Sequence, residues 1–572
     1  MVLRKAEEWR EVAQKMQTHR AETIAAVEPA VPEPPKDLPL NVTHIPAKLL
    51  PKETISITES TTEQLLPRLA GGELTALEVT KAFLQRAGLA SRLANCCTEL
   101  LPAEALERAK FLDDHFSENG KPVGPLHGLP ISVKEHVGMK GLDLNAGFVS
   151  WVGRTGPDDA IILKLLWKAG CVFYARTTEP QTLMHLETSN NIYGVTTNPY
   201  NANLTSGGSS GGEAALLGLR GSCLGIGSDI GGSIRSPAAN NGVFGLRPTA
   251  WRLPVAGWAG TQLGEEQVVP VIGPLSTSIE GIKIFMKAIL DQAPHKIDSS
   301  LIPLPWKTDP QLNTRGKRKL RVGVLSDDGV VMPHPPIVRG INTIVEKLKS
   351  HPQIEVIDFP PYKHEDAWRI IASLYFGDGG AEEKAAIDAS GEPWRPMSHW
   401  IIKENPYVKA LSVAEVWDLT IEREAYKAAY ARHWNSVGTG LPGPDDNGAS
   451  FFADPLPQDA EEKIVDVLLC PVGPGCAPPH NCARYWSYTS QWNILDYPAL
   501  VFPTGLQCSE EDKVDKDYQP RNKDDKYNYE LYDPKTYVDA PISLQLVGRR
   551  YEDEKVIEAY EMIAAAADLP LQ

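Results

Sequence analysis

Residues 207–247 read GGSSGGEAALLGLRGSCLGIGSDIGGSIRSPAANNGVFGLR, and no other stretch of the chain gathers glycine and serine so densely. Several chemistries compete for such a block. A phosphate-cradling Walker A loop needs Gly-x-x-x-x-Gly-Lys followed by Ser or Thr, and the block contains no lysine. A dinucleotide fingerprint could begin at Gly225-Ile226-Gly227, but its third glycine falls on Ile230. Gly207-Gly208-Ser209-Ser210-Gly211 satisfies Gly-x-Ser-x-Gly, the nucleophile elbow of an α/β-hydrolase-type esterase, with Ser209 as nucleophile. An elbow should follow a buried strand directly, whereas Asn198 to Asn203 read as turn formers. A plain flexible linker is a poor fit, because Ala214–Leu219 and Val243–Leu246 interrupt the glycines with core-type side chains.

The elements around the block are those of an α/β protein. Short apolar runs at Ile131–Val133, Cys171–Tyr174, Val322–Leu325, Val465–Val472, Leu500–Phe502 and Ile542–Val547 have the pattern of strands buried on both faces. Helical patterns separate most of them. Thr75 and Glu78 form a capping box ahead of Val79, Phe83, Leu84 and Ala87, which predicts a helix over about 75–90. Residues 320–359 read as a βαβ unit. Met1 to Arg20 reads as an amphipathic helix rather than a signal peptide, and Pro29, Pro32, Pro34, Pro35 and Pro39 then predict an extended arm. Ser509 to Tyr529 crowds charges of both signs with almost no aliphatic side chains, the composition of a solvated surface loop.

GGSSGGE and DIGGSIR lie within about forty positions of each other, and together the segments resemble the signature of the amidase signature family. Upstream, PLHGLPISVKE at 125–135 is similar to that family's strand-borne lysine motif. TTNP at 196–199, GPLSTSIE at 273–280 and QLVGRRYEDE at 545–554 extend the resemblance over roughly residues 55–570. PVGPLHGLPISVKE, PQTLMHLETSNNIYG at 180–194 and MPHPPIVRG at 332–340 look most like fungal-type acetamidases and general amidases. The membrane-bound fatty acid amide hydrolases of the family share its catalytic motifs but carry an N-terminal membrane helix that Met1 to Arg20 does not match.

The resemblance implies a large mixed β-sheet covered by helices on both faces, forming a single domain. It implies hydrolysis of small carboxylic amides to acid and ammonia or amine through an acyl-enzyme, without metal or organic cofactor. Ser233 would be the nucleophile, Ser209 the bridging serine after a cis peptide bond, and Lys134 the base. A lysine can accept a proton only when neutral, so its pKa must fall from about 10.4; burial after Ile131, Ser132 and Val133 would disfavour its charge. The oxyanion hole would come from the N–H groups of Ile230, Gly231, Gly232 and Ser233. Ser210 would hydrogen-bond within its own loop, Asp229 and Arg235 would hold the nucleophile loop, and the Leu183 carbonyl would accept from the leaving group. Trp251–Glu266 and segments between 375 and 450 are expected to shape the acyl pocket. Trp258, Trp394, Trp400 and Trp492 would either narrow that pocket or fill the core.

Other clusters carry less chemistry. Cys223 has no nitrilase-like surroundings, and Cys470, Cys476, His480 and Cys482 match no common zinc spacing, so no metal is expected. His127 and His136 flank the lysine strand and read as packing or supporting residues. The 57 Lys+Arg against 73 Asp+Glu give a net charge of −16, which opposes nucleic-acid and anionic-membrane partners. No apolar run reaches the roughly 18–20 residues of a membrane helix, and eight dispersed cysteines suit a reducing compartment, so the expected location is cytoplasmic. Although 572 residues would allow about four domains, the motifs needed in one site span most of the chain. The expected division is therefore a 1–54 arm and a 55–572 catalytic domain, with 509–529 inserted. A homodimer is compatible with the family, the arm being free to wrap a partner. A ligand-binding pseudoenzyme and the Ser209 esterase are the alternatives.

Overall fold

The structure, a computed structural model, describes residues 2–309, 312, 319–444, 455–457 and 460–572. Its centre is one mixed sheet of strands β1 (Cys97–Leu100), β2 (Pro130–Lys134), β3 (Val172–Thr177), β4 (Leu224–Asp229), β5 (Phe244–Arg247), β6 (Val271–Ser276), β7 (Leu320–Val324), β8 (Ile354–Asp358), β9 (Val467–Pro471), β10 (Ala499–Gln507) and β11 (Pro541–Val547). Across the sheet they run β1-β3-β2-β4-β6-β5-β10-β11-β9-β7-β8. Each apolar run singled out in the sequence lies on one of these strands.

The sheet is buried on both faces. Along β9, Val467 and Leu469 join one hydrophobic cluster with Phe83 and Tyr560, while Leu468 and Cys470 join another with Tyr430, Trp434 and Trp492. Alternate residues of a strand point to opposite faces, so the two clusters lie on either side of the sheet. The helix predicted from the capping box runs over Ala76–Ala94, with Glu78 N–H donating to Thr75 Oγ1 at 3.1 Å and Thr75 N–H to Glu78 Oε2 at 2.8 Å. It extends four residues beyond the expected end, because Leu93 and Ala94 are also buried. The βαβ unit is present as β7, helix Pro335–Lys349 and β8, with Val322 paired to Val356 in parallel.

Three expectations change. The arm does not stand free to wrap a partner: Ile24, Val27, Val31, Val42 and Ile45 belong to the same cluster as the body. Arg92 donates to the Val31 carbonyl at 2.9 Å, and Arg20 to Asn95 Oδ1 at 2.6 Å. Residues 198–203, read as turn formers, fall in a small hairpin outside the main sheet, in which strand Asn201–Thr205 pairs with 197–198. The buried sheet strand that a hydrolase elbow needs is therefore still missing there.

The third change concerns 509–529, which is not a bare loop. Its end forms helix Lys523–Leu531, capped by Asn522, whose Oδ1 accepts from the N–H groups of Asp524 at 2.9 Å and Asp525 at 3.0 Å. Polar anchors replace the missing aliphatic core. Buried Asp525 accepts from the N–H groups of Met332 (2.9 Å) and Arg521 (2.8 Å) and from the Tyr518 hydroxyl, and Asp512 pairs with Arg339 at 2.6 Å. Asp525→Ala should leave those donors unpaired and cost about 1–3 kcal/mol. Chemical denaturation and limited proteolysis would show it, with new cleavage between 509 and 531; an unchanged digestion pattern and stability would refute the anchoring role.

Candidate active site

β2 and β4 are neighbouring parallel strands, with Val133 opposite Ile226, so Lys134 and the pair Ser228-Asp229 emerge together at their C-terminal ends. That edge is where open parallel sheets commonly place their ligands. The glycine-serine loop meets it from the side. The Gly208–Ser209 peptide is cis, and helix Gly211–Gly218 follows at once. A Cβ on Gly208 would stand 2.5 Å from both Glu187 N and His185 O, so only glycine lets the loop come this close.

Lys134 is fully buried, and its Nζ lies 2.6 Å from Ser209 Oγ and 3.0 Å from Ser228 Oγ. Ser209, Ser228 and Ser233 open onto one cavity of about 330 Å³. Ser233 Oγ has no hydrogen-bond partner among the described residues, so the two loop serines share the cavity without bonding to each other. Burial pulls the Lys134 amine down to about 8, with Glu179, Asp229 and Glu213 opposing. Two of those three carboxyls give little countercharge at neutral pH. Burial raises Glu213 to about 8, against hydrogen bonds from Ser132 (2.6 Å) and Thr177 (3.0 Å). Burial, with Glu135 beside it, also raises Glu179 far above the usual carboxylate range.

Asp229 is the carboxylate that keeps its charge. Burial would raise its pKa, but Arg235 outweighs burial and holds it well below its ordinary value. Arg235 reaches it through Nε at 3.0 Å and Nη2 at 2.9 Å, and Asn493 Nδ2 adds a bond at 2.9 Å. The carboxylate also accepts the N–H groups of Gly232 at 2.9 Å and Ile234 at 3.1 Å. The Gly232 N–H is therefore engaged, contrary to its expected place in an oxyanion hole. The N–H groups of Ile230, Gly231 and Ser233 have no acceptor among the described residues. Tyr375 OH donates to the Ile230 carbonyl at 2.8 Å and Thr489 Oγ1 to the Gly231 carbonyl at 2.6 Å. In a trans peptide C=O and N–H point opposite ways, so the Tyr375 bond also fixes the Gly231 N–H.

Ser210 bonds outside its own loop: its N–H donates to the Ser233 carbonyl at 3.0 Å, and its Oγ accepts from Ser228 N–H at 3.3 Å. It ties the two serine loops together. Leu183, at φ +62°, lines the cavity beside Met184. Of the loop expected to shape the pocket, Trp251, Trp258, Leu263 and Glu265 line it. Side chains between 375 and 444 brace that loop instead, as Glu382 does in accepting the Gln262 N–H at 2.7 Å; residues 445–450 lie outside the described residues. Trp258 narrows the cavity, whereas Trp492 fills the core.

Sequence reasoning did not single out Ser228, Tyr375, Thr489 or Asn493. Ser228 adjoins Asp229 in the same block, which is a usable signal; the others lie more than 140 residues away and carry none. His127 packs behind the lysine strand against Phe116, whereas His136 contacts Ser228.

A family model described as Amidase matches residues 78–557. The acetamidase of Emericella nidulans is 38% identical, covering 97% of this chain and 97% of its own. The acetamidase of Aspergillus oryzae is 37% identical, covering 95% of this chain and 97% of its own. A solved fatty acid amide hydrolase superposes with a TM-score of 0.90 at 36% identity, covering 99% of this chain and 96% of that one. The chain belongs to the amidase signature family, and amide hydrolysis is its chemistry. No helix among the described residues is long and apolar enough to cross a membrane.

Asp229→Asn should leave buried Arg235 without a counter-charge, a loss of about 3–5 kcal/mol. Urea titration at neutral pH would measure it. The depressed pKa means that the wild-type advantage is full above the unfolded value of about 3.9 and fades as the pH falls toward the folded one. Equal stability of the two proteins at neutral pH would count against the ion pair as the brace of this loop.

Proposed function

We propose that Ser233 attacks the carbonyl carbon of a small carboxylic amide, Ser209 relays the proton and neutral Lys134 takes it up. The observation that carries this reading is the buried Lys134 amine 2.6 Å from Ser209 Oγ, at a cavity that Ser233 also faces. A serine hydroxyl is a weak nucleophile until a base lies within hydrogen-bond reach. Ser209 turns toward Ser233 as substrate enters, passes its own proton to Lys134 and receives that of Ser233.

The tetrahedral oxyanion is met by the N–H groups of Ile230, Gly231 and Ser233, each worth about 3–4 kcal/mol in comparable sites. Gly232 supports them by donating to Asp229 rather than to the oxyanion. Collapse of the intermediate breaks the C–N bond, and the proton on Lys134 returns through Ser209 to the departing nitrogen. The Leu183 carbonyl accepts an N–H of that nitrogen. Water then attacks the acyl-Ser233 ester by the same relay, releasing the acid and restoring the serine. Esters and carbamates are side substrates, since the same acyl transfer handles them.

Apolar walls from Leu183, Met184, Val255 and Trp258 favour neutral acyl groups, and Glu266 at the same cavity disfavours anionic ones. The enzyme acts in the cytoplasm on a small-molecule amide, without cofactor, nucleic-acid or membrane partner; a homodimer is the assembly the family suggests. Light scattering would read that state.

Ser233→Ala should lower kcat at least a thousandfold and abolish labelling by a fluorophosphonate probe, whereas substantial residual turnover would point back to Ser209 as nucleophile. In the wild type kcat/KM should rise with pH through about 8 and then level, because only the neutral amine accepts a proton. A profile that climbs steadily past pH ~10 would mean an ordinary lysine. Rates on acetamide, hexanamide, benzamide and ethyl carbamate would rank the acyl preference.

A further inference from the structure

Lys134 has a second hydroxyl neighbour that the reaction just described does not use. Ser228 Oγ lies 3.0 Å from Lys134 Nζ and 2.9 Å from Nε2 of His136, a buried ring whose Nδ1 is 3.0 Å from the Ala259 carbonyl. A carbonyl oxygen only accepts, so the ring proton sits on Nδ1 and Nε2 presents a lone pair. The Ser228 hydroxyl must then donate to Nε2. Its oxygen is left able only to accept from Lys134.

A neutral amine has two N–H groups and one lone pair. If Ser228 were free to rotate, it could donate to that lone pair and compete with Ser209 for it. With its hydrogen committed to His136, Ser228 can take only an N–H, and Ser209 becomes the hydroxyl that donates to the amine. We propose that Ser228 and His136 are positioning residues that reserve the lone pair of the Lys134 amine for Ser209. The proposal rests on the Ser233–Ser209–Lys134 reading. When Lys134 takes up the proton, the ammonium still donates to Ser228, so the contact persists through the step.

The surroundings keep His136 in the required form. Burial, Lys134 and Arg176 all oppose its protonation. Of the carboxyls beside Lys134, Glu179 accepts the His136 backbone N–H at 3.2 Å, Glu213 is bonded to Ser132 and Thr177, and Asp229 to Arg235. The ring stacks on Trp258 at 5.4 Å between centroids, which holds it in place and joins the site to the cavity wall.

The test compares His136→Phe, which keeps the stacked ring, with Ser228→Ala and Ser228→Thr. His136→Phe and Ser228→Ala should lower kcat roughly 10–100-fold with KM little changed, and should slow fluorophosphonate labelling of Ser233 in parallel. Ser228→Thr, which keeps the hydroxyl, should restore most of both. The pH profile separates positioning from loosening. Loss of the Ser228 acceptor removes a bond that favours the ammonium, so the acid limb of kcat/KM should move down by about one unit. A loosened, wetter site would move it up toward the ordinary lysine value. Variant rates within about twofold of wild type, or an upward shift, would overturn the proposal while leaving the triad reading intact. If wild-type protein were not labelled at Ser233, the triad reading would fail and this proposal with it.

Discussion

Keeping one lysine amine out of water is the constraint on which the rest of the site depends. Lys134 ends an interior strand with no solvent exposure, and hydroxyl contacts cannot replace the hydration that its charged form would lose. That cost favours the neutral amine. It also restricts what can stand nearby, because a full set of ionised carboxylates would return the amine to its charged form. Glu213 and Glu179 are themselves buried deeply enough to favour their neutral forms, and the charge of Asp229 is held by Arg235. Acidic side chains are close to the lysine, yet little free negative charge is.

The same ion pair organises the loop that carries Ser233. One carboxylate collects donors from Arg235, Asn493, Gly232 and Ile234, so the chain between Asp229 and Ser233 has few ways to fold. Gly232 is essential to that turn: it stands at φ +131°, and a Cβ would lie 2.4 Å from Thr489 Oγ1. Helix Ser487–Leu495 supplies both Thr489 and Asn493, so a segment some 250 residues downstream sets the shape of the loop. A buried network of this kind is stable only because its members are mutually satisfied.

The periphery follows a similar logic of anchoring. The N-terminal arm contributes apolar side chains to the main core. The charged segment after β10 is ordered by Asp525, which accepts the Met332 N–H just before helix Pro335–Lys349, and by Asp512, paired with Arg339 of that helix. Around the cavity, the loop at 251–266 is tied to His136 through Ala259, whose N–H donates to the His136 carbonyl at 2.8 Å. The cavity wall is thus coupled to the strand that carries Lys134.

The sequence by itself determined seven of the eleven strands of the sheet and the start of the capped helix at 76, because these depend on local periodicity and capping chemistry, and its contiguous motifs carried the resemblance to the family. The resemblance also pointed to Asp229 and Arg235, which lie within one block and form an ion pair there. Only the tertiary structure decided which N–H groups remain free beside Ser233, that Ser210 joins two loops, and that Ser228 and His136 adjoin the lysine. Composition alone made 509–529 look like a loop, since aliphatic content cannot reveal carboxylates satisfied by distant backbone donors. It likewise left the arm unattached, because a run of prolines shows extension but not the surface it lies on. Hydrogen-bond partners more than a hundred residues apart leave no periodic trace, and the direction of each bond depends on which neighbours have already claimed the proton.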